Sequence, residues 1–174
     1  MSRKIVIAGA AGLVAGITLG SQPWAAAGHL NAVLEADLDG RSEVATGATS
    51  NQIVGDPNGR GEAYVFGIDG DPTTLCYVLV VEGIAELDQA PGGPRMAHIH
   101  LGDAGANGPV EVNLAWPQDG QAADCLTEGE AGKALTAGEV AQILADPDAY
   151  YVNVHNGEYP GGAIRGQLHG QHDH

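Results

Sequence analysis

Basic residues are scarce in this 174-residue chain: 7 Lys and Arg stand against 22 Asp and Glu, a formal charge of −15. A surface this acidic repels a phosphate backbone, which excludes nucleic acid as a partner. Aromatics are scarce too, at 5%, while glycine contributes 27 residues and proline 9. Breakers at that density point to short elements joined by many turns rather than to long helices. Cysteine occurs twice and never as a Cys-x-x-Cys pair, so no thiolate metal motif is present. Internal repeats and a second domain are also missing. What remains is 44% hydrophobic, enough for a core and too much for wholesale disorder. One domain suits the length.

Long apolar runs are lacking except at the N-terminus. There Arg3 and Lys4 precede a charge-free stretch from Ile5 to Leu19, followed by Pro23 and Ala25-Ala26-Ala27. This is the three-part layout of a secretory signal. A membrane anchor needs roughly 20 apolar residues, and Gly9, Gly12 and Gly16 weaken this shorter stretch further. Residues 1–27 therefore read as a signal peptide cut after Ala27, leaving a secreted, extracytoplasmic protein with no stable membrane span. Losing Arg3 and Lys4 while keeping all 22 acids takes the formal charge from −15 to −17. Export would place Cys76 and Cys125 in an oxidising compartment. One disulfide is the expectation, joining a hairpin strand to the loop after Trp116 and removing roughly 4 kcal/mol of unfolded-chain entropy. Two separate buried thiols are the alternative.

From His29 to Asp37 apolar residues recur at every second position through Leu30, Ala32, Leu34 and Ala36, the period of a half-buried strand. Gly61 to Ile68 alternates in the same way, Asp69-Gly70-Asp71-Pro72 ends it, and Thr74 to Val81 supplies a hairpin partner. Further strands are expected at Arg95 to Leu101, Val110 to Trp116, Tyr150 to His155 and Ala163 to His169. One helix is expected over 136–145. Thr136 and Glu139 form a capping box ahead of Val140, Ile143 and Leu144, and Asp146-Pro147 stops it. Short strands with one short helix predict an all-β fold, a Greek-key antiparallel β-sandwich or barrel. It would span residues 28–169, with a histidine-containing tail at 170–174.

The histidines carry the chemistry. In Ala97-His98-Ile99-His100-Leu101, pleating sends Ala97, Ile99 and Leu101 inward and both imidazoles to the other side. In Tyr150 to His155 it sends Val152 and Val154 inward and puts Tyr151, Asn153 and His155 on the opposite face. If the two strands are neighbours, His98, His100 and His155 converge on the outer face of the sandwich. Three imidazoles without a thiolate suit copper or zinc. A solvated strand face is the competing reading. Arg165 lies on a later strand, where its planar fork either orients an anion beside the histidines or pairs with one of the acids. His169, His172 and His174 form a weak metal-binding tail, or an end without a role.

Ala97-His-Ile-His100, the following Gly105-Ala-Asn-Gly-Pro109-Val, Tyr150-Tyr-Val-Asn-Val-His155 and Gly161-Gly-Ala-Ile-Arg-Gly-Gln-Leu168 together resemble the chordin-type (CHRD) domain. The Gly55-Asp-Pro-Asn-Gly and Thr74-Leu-Cys-Tyr segments are similar to its secreted microbial branch. The resemblance implies a β-sandwich related to copper-zinc superoxide dismutase. By that analogy His98, His100 and His155 correspond to copper ligands, and Arg165 looks like the arginine that guides anions to the copper. A metal-bridging histidine and a zinc set between Leu101 and Cys125 have no counterpart here, so a single copper ion is implied. Three functions follow: a secreted metal-binding protein, a copper-only superoxide dismutase-like enzyme, or a metal-free structural and interaction module. A charge of −17 would repel superoxide and weighs against the enzyme.

Overall fold

The computed structural model describes residues 33–45, 54–84 and 97–170. Alternation builds the first half. Strand β1 (Val33–Asp39) buries Leu34, Ala36 and Leu38, and β2 (Arg60–Ile68) buries Ala63 and Val65. Two residues, Asp69 and Gly70, turn the chain into β3 (Asp71–Glu82), with Gly70 in the left-handed region at φ 79°. A side chain there would be strained, which is why Asp-Gly suits this turn. The hairpin strand thus starts at Asp71 rather than Thr74, and residues 29–32 of the expected first strand lie outside the described residues.

The second half holds β4 (Ala97–Leu101), β5 (Val110–Asn113), β7 (Tyr150–Val154), β8 (Ile164–Gln167) and the two-residue β9 (His169–Gly170). Alternation does not reveal β6 (Gln121–Thr127), in which only Leu126 is buried. It is a sheet-edge strand beside β3, so burial imposes no apolar period on it. Cys125 sits in β6 directly opposite Cys76, and the two form a disulfide. The bridge is therefore strand to strand, not strand to loop as expected.

Every strand pair is antiparallel. The order is β5-β4-β7-β8-β1-β2-β3-β6, with β9 also beside β1. The chain leaves β3 for β4, returns from β5 to β6 beside β3, and crosses again to β7 beside β4, which is Greek-key connectivity. The sheet curls so that Val65, Leu79, Ile99, Val112, Val152 and Ile164, all fully buried, share one core. Where β8 meets β1, a Cβ on Gly166 would collide with the Asp37 carbonyl, so only glycine lets the halves approach.

The expected helix is α1 (Glu139–Ala145), one turn shorter than the capping box suggests. Gly138 takes the N-cap with φ 85°, so the Thr136 hydroxyl caps nothing. The Glu139 carboxylate does reach back, accepting from the Thr136 N–H at 2.6 Å. The free amides at the helix start are instead met by Glu128, just past β6, which accepts from Gly138 at 2.9 Å and Val140 at 3.0 Å. Val140 and Ile143 close the core from that side.

Candidate metal centre

Strand β4 runs between β5 and β7, with His98 opposite Asn153 and His100 opposite Tyr151. His155 follows the last residue of β7. Pleating puts all three imidazoles on one side, with centroid separations of 5.4 Å for His98–His100, 5.1 Å for His98–His155 and 6.3 Å for His100–His155. One nitrogen from each ring lies within 4.8 Å of the other two, close enough for a single ion to take all three. A bulge between β4 and β5 shifts the register at Ile99/His100, a device that re-aims side chains beside functional sites.

This side of the sheet is not an open face. His98 and His100 are each 8% exposed, and Tyr151 and Asn153 are buried as well. Leu101, expected inward, is the exception at 41% exposure. It ends β4, where its N–H already turns to the Pro109 carbonyl. Loops supply the cover. His100 Nδ1 lies 3.0 Å from the Gly108 carbonyl and His155 Nδ1 lies 3.2 Å from the Pro160 carbonyl. A carbonyl only accepts, so both rings carry their proton on Nδ1 and direct a lone pair from Nε2. Those two Nε2 atoms are buried and have no hydrogen-bond partner. Burial lowers the pKa of both rings below the ordinary imidazole value, and carbonyl hydrogen bonding only partly opposes it. Neutral imidazoles are the form that binds a metal.

Around the histidines lies a polar layer drawn from distant segments. Tyr151 stacks on His100 at 4.8 Å and 6°, and the Arg165 guanidinium carbon lies 3.5 Å from the other ring's centroid, that of Tyr151. Arg165 is 2% exposed. Glu43 is buried too, and desolvation raises its pKa to about 7 against the opposing charge of Arg165 and a hydrogen bond from Asn153. Tyr151 and Asn153 were placed on the histidine face by the pleating rule. Glu43, Asn107 and Gly108 carried no such signal, because they come from loops whose position depends on the whole fold. His169 lies elsewhere, on β9 opposite Glu35, with Nδ1 donating to the Asp148 carboxylate at 2.7 Å. It is held on the sheet rather than in a tail. His172 and His174 lie outside the described residues.

A CHRD domain profile matches residues 34–168. The chain belongs to the CHRD domain family. Comparison with curated proteins gives no match. The matched span of this CHRD domain contains all three histidines, Arg165 and both cysteines. Among the described residues no helix is long and apolar enough to cross a membrane.

Proposed function

We propose that this CHRD domain is an exported metal-binding protein that holds one copper ion through His98, His100 and His155. The observation that carries the reading is the pair of buried Nε2 atoms on His100 and His155, each without a partner, each on a ring fixed by a backbone carbonyl at Nδ1. Leaving such nitrogens dry and unpaired costs about 1–3 kcal/mol each, a cost that a bound ion removes. Metal-ligating histidines characteristically donate their second N–H to a carbonyl in this way. A solvated strand face would have neither the burial nor the fixed tautomers.

The donor set is three neutral nitrogens with no thiolate, which suits copper or zinc. Copper is preferred on the family resemblance and because it heads the affinity order for nitrogen sites. When bound, copper would supply one-electron redox chemistry. The chain's own residues would orient it and exclude water. Binding, not catalysis, is the proposal, because Arg165 at 2% exposure is poorly placed to draw anions from solvent. Export is supported by the N-terminal pattern and by the Cys76–Cys125 disulfide.

Copper titration of the mature, metal-stripped protein tests the proposal. One ion per chain is expected, with His100→Ala weakening binding at least 100-fold and zinc displaced by copper. Unchanged affinity in His98→Ala, His100→Ala and His155→Ala would overturn it.

A further inference from the structure

The three histidines are not held alike. His155 is fixed by Pro160, five residues along its own hairpin. His100 is fixed from two sides by groups that both lead to Arg165. On its face lies Tyr151, parallel to within 6°, and the guanidinium of Arg165 packs on that same phenol ring at 3.5 Å. At its edge lies the Gly108 carbonyl, 3.0 Å from Nδ1. The Gly108 N–H donates to the Tyr151 hydroxyl at 3.1 Å. Asn107, the residue before it, accepts from Arg165 Nη1 at 3.3 Å and donates to the Val44 carbonyl at 3.0 Å. No side chain fits at Gly108, where a Cβ would run into the Leu101 carbonyl.

We infer that Arg165 is a positioning residue that sets the plane and tautomer of His100, through Tyr151 on the ring face and through Asn107–Gly108 at the ring edge. It acts on a ligand and is not one. The consequence for metal affinity rests on the three-histidine reading; the effect on the imidazole does not. The role needs arginine specifically. A guanidinium is planar, stacks on an aromatic face and still donates in its own plane, whereas a lysine ammonium is a compact charge that cannot do both. A residue that merely filled space or balanced Glu43 would leave His100 no more affected than His155.

Side-chain nitrogen NMR of the metal-free mature protein above pH 7.5 reads the tautomer of each ring. Native protein is expected to show His100 and His155 with the proton on Nδ1. In Arg165→Lys and Arg165→Met the Nε2-protonated form of His100 should rise several-fold while His155 keeps its native signal. Asn107→Ala, at an exposed position, breaks only the edge arm and should shift His100 in the same direction by less. It keeps the test alive if Arg165→Met fails to fold. Copper affinity should fall roughly 10–100-fold in Arg165→Lys, the usual cost of losing an outer partner of a metal-bound histidine. If His100 stays Nδ1-protonated in every variant, or if His155 changes as much as His100, the inference is wrong. If the tautomer shifts as expected but native protein binds no copper, the positioning role stands and the metal reading falls.

Discussion

His100 and His155 pull the stability of the metal-free protein one way with pH, and Glu43 pulls it the other. Both imidazoles are neutral in the fold, His100 buried and His155 partly buried, with pKa values below the ordinary 6.5. Unfolded histidine takes up a proton below about pH 6.5 and the folded rings do so only at lower pH. Their contribution is therefore complete above that value and is lost as pH falls through the window beneath it. Copper affinity should follow: a titration series ought to hold nearly level from pH 8 to 6.5 and weaken only further down. A decline centred at pH 6.5 or above would mean that burial does not lower the pKa of these rings. Glu43 behaves oppositely, since its folded pKa of about 7 exceeds the ordinary 4.5. Between those values the folded carboxyl keeps a proton that the unfolded chain has released, so stability drops as pH rises. Glu43→Gln should gain on the native protein by about 3 kcal/mol between pH 4 and pH 8, read by urea unfolding of the metal-free forms. An equal difference at both pH values would contradict the burial of this carboxyl.

Two elements owe their form to contacts that local pattern does not encode. Strand β6 has a single buried side chain, Leu126, and is held to β3 by its ladder and by the Cys76–Cys125 bridge. Replacing both cysteines, Cys76→Ala with Cys125→Ser, should cost roughly 4 kcal/mol, the entropy of the loop they close. Chemical denaturation measures it, and a loss under 1 kcal/mol would show that β6 is secured without the bridge. Helix α1 relies on Glu128 for its free amides, so Glu128→Ala should destabilise by about 1 kcal/mol while Thr136→Ala, which keeps its backbone N–H, costs less. The reverse ranking would restore the capping box read from the sequence. That box was half legible: Glu139 does reach back to Thr136, but Gly138 in the left-handed region shifts the start of the helix beyond the threonine's reach. Strands with one buried face, such as β1 and β2, announce themselves by alternation. An edge strand such as β6 does not.

At the scale of the whole molecule, the sequence placed His98 and His100 on one face and His155 on the matching face of a later strand, but only the Greek-key order makes β4 and β7 neighbours. Residue spacing carries no information about such crossovers. The same holds for the cover over the site. Glu43, Asn107, Tyr151 and Arg165 come from four separate parts of the chain and meet because β8 lies between β7 and β1. The histidines expected on the outer face of the sandwich are in consequence covered and pre-oriented, His98 and His100 buried and His155 partly so. Preorganisation of that kind favours tight, single-site binding over weak adsorption. The most direct measure of the central claim is pulsed electron paramagnetic resonance on the mature protein loaded with one equivalent of Cu(II), which counts the imidazoles around the ion through their remote nitrogens. Three coupled imidazoles are predicted, falling to two in His155→Ala. A spectrum with one imidazole or none, unchanged by that substitution, would contradict the three-histidine site.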